Sequence, residues 1–301
     1  MENIAGMETQ LISIIIVNFN SKGYLKKCVQ SVLASTVSVE VFVIDNGSED
    51  RSLSSLKNAV GIDPRVHIIE NKENLGFARA NNQVLPMTKG DYVLFLNPDC
   101  IIELDTLECM LAVIEAHPDV GIAGCLIRNP DGSEQAGSRR YIPTPLRSMI
   151  RVLKLSKLFH KYPRFGILNL AGQALSDHPV PMEAISGAFM LVRRIAIEQV
   201  GPMDDGYFLH CEDLDWCMRF RRAGWKILFV PGIEIIHNKG VCSADRPIRV
   251  EWYKHKGMIR FYGKYFRHQY PVGLMYLVVA AVWARFAMLA MFLSLRRLIK
   301  A

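Results

Sequence analysis

The chain has 301 residues, half of them hydrophobic, with a mean hydropathy of +0.14; that suits one large core, alone or with an appendage, and is high for a purely soluble protein. Seven cysteines, an odd number with no CxxC pair, argue against a disulfide framework or zinc cluster and for a reducing compartment. The formal charge of +7 is uneven: residues 1–125 carry 9 Lys+Arg against 16 Asp+Glu, residues 126–245 carry 16 against 12, and residues 246–301 carry 11 against one acid, Glu251.

The first ten residues are acidic and lack an apolar stretch, so no signal peptide is expected. Leu11–Asn18 is a continuous β-rich run and reads as a buried parallel strand. Asn20 and Ser21 are placed to cap a helix with Leu25, Cys28, Val29 and Val32 on one face. Glu40–Asp45 is a second strand, ended by Asp45-Asn46-Gly47-Ser48, and a short helix follows with Leu53 and Leu56 inward. Val66–Glu70 is a third strand. Asn74–Asn82 leads into a helix, Tyr92–Leu96 is a fourth strand, Leu104–Ala116 a helix and Gly121–Leu126 a fifth strand. This alternation predicts an α/β fold with a mostly parallel sheet covered on both faces. The polar residues that end the strands, Asn18, Asn20, Asp45, Asn46, Asn97 and Asp99, then share one edge, where such sheets bind ligands. No GxGxxG follows the first strand and there is no GxxxxGK[ST], which lowers the expectation of a dinucleotide site or a P-loop.

Residues 128–182 mix Gly, Pro and recurring arginines (Arg139, Arg140, Arg147, Arg151) with weak periodicity. They read as a long excursion with a helix around Leu146–Phe159, and long excursions tend to be functional. Ile185–Arg194 is a strand opened by Ser186-Gly187-Ala188, and Ile195–Val200 a short helix. Phe208–Trp216 leads into a helix closed by Gly224. Trp225–Pro231 and Ile233–His237 are two further β runs.

Three constellations carry chemistry. Asp45 and Asp99 sit at two strand ends. One such carboxylate can accept a ring N–H from a nucleobase; the other can approach a diphosphate only through a metal. For Asp45 an Asx turn before Gly47 is an equally good reading. In Glu212-Asp213-Leu214-Asp215-Trp216, a helix dipole and an Asp215–Arg219 pair explain Asp215. Three acids within four residues also raise one another's pKa, as a general base requires. His237 follows a β run; a lone histidine is more often structural or solvent-facing, whereas paired with Asp99 its imidazole suits a manganese- or magnesium-type site.

In wording and order, Ile14–Asn20, Val43–Ser48, Asn74–Asn82, Leu96–Asp99, Ser186–Arg194 and Glu212–Arg219 resemble glycosyltransferase family 2, most closely its bacterial rhamnosyltransferase-like subgroup, over roughly residues 11–240. The resemblance implies a GT-A fold and an inverting, metal-dependent transfer in cell-surface glycan synthesis. The expected donor is dTDP-L-rhamnose; a UDP-sugar enzyme of other specificity and a non-catalytic nucleotide-sugar-binding homologue are the alternatives. It implies that Asp213 is the catalytic base, Glu212 orients it or touches the acceptor, and Asp99 and His237 hold Mg2+ or Mn2+. Asn18, Asn20, Asp45, Asn74, Arg79, Asn97 and Gly187 would bind the donor. Asn97 stands where the family's motif has its first acid, so Asp99 carries that motif's charge.

On this reading residues 1–127 form the nucleotide-sugar half, 128–245 the acceptor and catalytic half, and 246–301 a membrane-associating tail. Arg246–Arg267 interleaves basic and aromatic residues, and Val272–Leu295 is apolar except for Arg285. A span needs about 20 apolar residues, and a central Arg costs about 3 kcal/mol on insertion scales. A helix in the inner leaflet, its basic flank on anionic headgroups, is therefore expected ahead of a single transmembrane span or a buried helix. The apolar continuation argues against nucleic acid as the partner. The expected place is the cytoplasmic face of the plasma membrane, with a lipid-linked or glycan acceptor.

Overall fold

The computed structural model describes residues 10–152, 168–241 and 246–300. β1 (Ile12–Asn18), β2 (Val39–Asp45), β3 (Val66–Glu70) and β4 (Tyr92–Leu96) are parallel, in the order β3-β2-β1-β4. The register sets Asn18 opposite Asp45, and Ile16 opposite Leu96, so the carboxyl ends of three strands lie side by side. The sheet continues through β10 (Phe189–Arg193), β6 (Val120–Arg128), β11 (Lys226–His237) and β5 (Cys100–Ile101), with β8 (Val180–Pro181) on β11. β7 (Arg139–Arg140) and β9 (Ala184–Ile185) form a separate two-stranded ribbon.

The longer pairings are parallel, as expected, but β10 runs antiparallel between β4 and β6. The two β runs after Gly224 are one strand, β11. Its register against β6 slips between Val230 and Glu234, where Pro231 cannot donate to the ladder. β11 ends antiparallel to β5, with His237 opposite Cys100. This places His237 beside a residue 137 positions earlier in the chain.

Alternation along the strands separates two cores. Ile12, Ile14 and Ile16 face α1 (Tyr24–Leu33), α2 (Ser52–Val60) and α4 (Thr106–Glu115), whereas Ile15 and Val17 face the opposite layer. That layer holds α3 (Phe77–Val84), α6 (Arg194–Val200), α7 (Glu212–Arg222) and α8 (Pro247–Phe266). Leu25, Cys28, Val29 and Val32 form the buried face of α1. Asn20 and Ser21 do not cap it: Gly23 is the N-cap, with no side-chain cap. The Ser21 carbonyl accepts the Tyr24 N–H at 3.1 Å, and both polar side chains turn to the sheet edge instead. Of the helix expected over Leu146–Phe159, α5 (Pro145–Val152) is present; its remainder lies outside the described residues.

At the centre of the second core is Trp216, fully buried, edge-on to Phe95 (4.9 Å) and Phe220 (5.1 Å). Its indole N–H donates to the Gly201 carbonyl at 3.0 Å. Trp216→Ala is expected to cost about 3–5 kcal/mol, measured by denaturant unfolding; a cost under about 1 kcal/mol would mean that this cluster does not anchor α7.

Pro247–Phe266 belongs to the body of the protein. Phe261, Tyr262, Tyr265 and Phe266 of α8 are buried in the second core. Asp215, wholly buried, ties α7 to α8: it pairs with Arg219 (3.0 Å) and Lys264 (2.7 Å), and accepts the Tyr265 hydroxyl (2.9 Å). The last helix, α9 (Val272–Lys300), lies along the outside, with Met275, Val278 and Val282 partly buried against the second core. Val272–Arg296 is long and apolar enough to cross a membrane, with a hydropathy of 2.0 and none of it fully buried. Trp283 (4.8 Å) and Phe286 (5.4 Å) dock it on Trp252 of α8.

Candidate active site

The carboxyl ends of β1, β2 and β4 form one wall of a cavity of about 270 Å³. Asn46, Asn74, Asn97, Asp99 and His237 line it, and Arg249, Val250 and Tyr253 of α8 face them. Tyr253 stacks on Phe208 with ring centroids 4.1 Å apart. Gly76 makes the join between the Asn74 loop and Phe208: its φ is +87°, and a Cβ there would lie 2.7 Å from the Phe208 carbonyl, so only glycine fits.

Asp45 lies just behind this wall. Its Oδ1 accepts the Asn18 amide at 2.6 Å, and its Oδ2 accepts the Ser48 N–H at 3.0 Å. The second bond is the Asx turn, so Asp45 shapes the loop; its neighbour Asn46 lines the cavity. Asn18 also reaches Ser52 (2.9 Å) and accepts the Ser21 hydroxyl. Asn20 holds the 48–50 loop by accepting the Glu49 N–H at 2.8 Å. Asn74 caps its own turn on the Gly76 N–H (2.9 Å) and accepts the Asn46 amide (3.3 Å). Arg79 is exposed on α3 and does not line the cavity.

Asp99 and His237 meet as the register of β5 and β11 requires. His237 Nε2 is 3.0 Å from Asp99 Oδ1 and 3.3 Å from the Asn97 amide. Both residues are about 95% buried, Asp99 at 4% and His237 at 5% exposure. The other ring nitrogen, Nδ1, is 2.6 Å from Gln135 Oε1. The Gln135 amide nitrogen is committed to Asn129 (2.9 Å) and the His237 carbonyl (3.2 Å). The network therefore assigns Oε1 as the acceptor of Nδ1–H and leaves Nε2 as the nitrogen that faces the carboxylate. A proton on Nε2, or a cation held by both atoms, completes that contact. The donor set, one imidazole and one carboxylate, fits a divalent metal of the manganese or magnesium kind. Cys100 is close enough to share the site, but burial and then the Asp99 charge push its thiol well up. It donates to the Ala188 carbonyl (3.5 Å) and is no ligand as a thiol.

Gln135 was invisible in the sequence: it lies in the irregular excursion, 102 positions from its partner. Gln135→Ala is expected to weaken divalent-metal binding about tenfold or more, read by calorimetric titration with Mn2+. Unchanged affinity would rule out its orienting role.

The second group of residues sits on the first turn of α7. Asp213 Oδ1 accepts the Leu214 N–H (2.7 Å); Oδ2 accepts the Gly187 N–H (3.2 Å) and pairs with the Arg140 guanidinium. Burial, then the Asp213 charge, push the Glu212 carboxyl well up. Its Oε2 has no partner among the described residues. The turn entering α7 is strained: His210 and Cys211 have φ of +67° and +72°, a cost of about 1–3 kcal/mol each for non-glycine residues. Gly257 of α8 lets that turn pack closely, since a Cβ there would lie 2.8 Å from the His210 carbonyl. Burial, then the nearby Lys254 charge, lower the His210 pKa to about 4.

The Ser186-Gly187-Ala188 segment joins the two groups. Gly187 donates to Asp213, and the next residue, Ala188, accepts the Asn97 N–H at 3.0 Å. Asp213 and the β4 end that carries Asn97 and Asp99 are thus tied to adjacent residues of one segment, and that strand end lines a cavity with the polar walls of a ligand site.

The glycosyl transferase family 2 model matches residues 13–171. The N-acetylglucosaminyl-diphospho-decaprenol L-rhamnosyltransferase of Mycobacterium tuberculosis is 29% identical over 251 residues, 79% of this chain and 80% of that protein. Rhamnosyltransferase WbbL of Escherichia coli is 30% identical over 230 residues, 75% of this chain and 83% of its own. Among solved structures, mannosyltransferase PcManGT from Pyrobaculum calidifontis, in complex with GDP-Man and Mn2+, aligns with a TM-score of 0.59 at 16% identity, covering 98% of this chain and 82% of that one. The fold is GT-A, and the chain belongs to glycosyl transferase family 2 and is a glycosyltransferase.

Proposed function

We propose that this glycosyltransferase inverts the anomeric centre of a nucleotide-activated sugar, best L-rhamnose from dTDP-L-rhamnose, and delivers it to a sugar on a lipid diphosphate. Asp213 is the base. The acceptor hydroxyl attacks the anomeric carbon opposite the leaving diphosphate, the bond from that carbon to the diphosphate oxygen breaks, and the hydroxyl proton passes to Asp213. One displacement inverts the centre, through an oxocarbenium-like transition state. Asp99 and His237 would hold a divalent metal, which when bound neutralises charge on the diphosphate. Asn46, Asn74 and Asn97 offer amides to the donor, with Asn18, Asn20 and Asp45 shaping the wall behind them. Glu212, its carboxyl pushed up by burial, is the neighbour of the base in the chain.

The observation that carries this reading is the pairing of Asp213 with Gly187, one residue from the Ala188 bond to the Asp99 strand end. The sugar and the acceptor rest on the two relatives, whose names are those of rhamnosyltransferases, one of a lipid-diphosphate substrate. The test is a panel of nucleotide sugars, with and without Mn2+ or Mg2+, offered with a bacterial membrane lipid extract. Transfer from dTDP-L-rhamnose above all other donors is expected; transfer from a UDP-sugar alone would overturn the donor assignment.

Such an acceptor lies in a membrane, and α9 supplies an exposed apolar face with basic residues before and after it. We place the enzyme on the anionic cytoplasmic leaflet. A chain ending at Pro271 should move from the membrane to the soluble fraction while keeping its fold, because the buried aromatics of α8 are retained. Undiminished sedimentation with membranes would refute the anchor.

A further inference from the structure

Asp213 has three partners, and a reacting hydroxyl must displace one of them. Two are backbone amides, of Leu214 in the first turn of α7 and of Gly187 beside β10. Neither can swing away without unmaking its element. The third, Arg140, is a side chain on the short β7 ribbon, tethered otherwise by one bond to the Ile185 carbonyl (3.3 Å). Its Nε is buried and has no partner among the described residues, although a guanidinium carries five donors that favour anions in bidentate geometry. The surroundings are rich in positive charge. Arg140, Lys239 and Lys254 all act on His210 through space; against them stand Asp213 and, for Lys254, Glu251 at 3.3 Å.

We infer that Arg140 is the ligand for an anionic phosphate of the acceptor and, until an acceptor is bound, the lock on the base. The acceptor is the source of that anion because the hydroxyl Asp213 deprotonates belongs to the acceptor, so the groups around Asp213 meet the acceptor. The donor's diphosphate belongs at the Asp99–His237 pair, in the cavity that neither Asp213 nor Arg140 lines. When the phosphate arrives, the guanidinium turns to it and Oδ2 is left to the hydroxyl. Without an acceptor, Arg140 keeps Asp213 from activating water. The inference rests on the reading of Asp213 as the base.

The experiment compares one acceptor sugar in two forms, as an alkyl diphosphate and as the neutral alkyl glycoside, on wild type and on Arg140→Gln and Arg140→Lys. In wild type the diphosphate form should have a KM lower by about tenfold or more, one charge-assisted contact's worth. In Arg140→Gln that advantage should vanish, while hydrolysis of the donor without acceptor rises above wild type. Arg140→Lys, which keeps the cation, should retain part of the advantage. A merely structural role would lower hydrolysis and both transfers together. Equal KM for the two acceptors in wild type overturns the inference without any variant, as does falling hydrolysis in Arg140→Gln. Asp213→Asn is assayed alongside: transfer that survives there overturns the base assignment, whereas its loss with no acceptor discrimination at Arg140 overturns the lock alone.

Discussion

Asp213→Asn is expected to lower transfer by about 10²–10⁴-fold, the range for a lost general base, while leaving donor affinity within a factor of two or so of wild type. The amide preserves the shape of the side chain, and its one oxygen can still accept the Leu214 or the Gly187 N–H. It cannot take a proton from the acceptor hydroxyl. The proposed donor contacts lie elsewhere, along the cavity lined by Asn46, Asn74, Asn97 and Asp99, so binding measured by calorimetry should persist. Near-normal turnover would move the base to another group, and Glu212, buried with an open Oε2, would be the next to test.

Asp99→Asn should be nearly as damaging, by about 10²–10³-fold in transfer, the scale for losing one preorganised electrostatic partner of a developing charge. The motif at this strand end has no second acid. Asn97 is neutral, and its amide faces His237 Nε2 at 3.3 Å. Among the described residues only Asp99 offers a carboxylate to the proposed metal site, with His237 Nε2 3.0 Å from it. The variant should also lose its response to added Mn2+ in a titration of initial rate. An unchanged metal response would exclude this pair as the metal site. His237→Asn is the companion measurement: with Asp99 intact, the metal requirement should shift to higher concentration instead of disappearing.

The strand runs were legible because buried parallel strands are continuous apolar runs, as in Leu11–Asn18 and Tyr92–Leu96. The end of each run, set by Asp45-Asn46-Gly47 or Asn97-Pro98-Asp99, marked the working edge. The acid and imidazole types were legible too: Asp99, Asp213 and His237 sit where the motif order puts them, and the structure brings Asp99 and His237 into contact. The tail was read as one piece by composition, but alternating aromatics and cations describe α8 equally well as a core helix with a solvated face. Burial of Phe261, Tyr262, Tyr265 and Phe266 separates it from α9.

Other features had no local signal. Gln135 and Arg140 lie in a stretch of weak periodicity, and the site residue each one meets is more than 70 positions away. β10 carries an ordinary strand pattern; that it enters the sheet antiparallel, between β4 and β6, depends on which edges those strands leave open. Asp45 was equally a turn-former and a ligand in the sequence, and its bonds to Asn18 and Ser48 make it the support of the wall.

By itself, then, the sequence determined the α/β pattern, the sheet edge that carries the polar residues, the family and the identities of the acids and the imidazole, because these depend on hydrophobic period and on motifs local in the chain. Tertiary structure alone decided which of those residues touch, which nitrogen of His237 is left for a cation, and that Arg140 closes on Asp213. Each of these depends on strand register and on side chains brought together from distant positions, and no spacing along the chain encodes them.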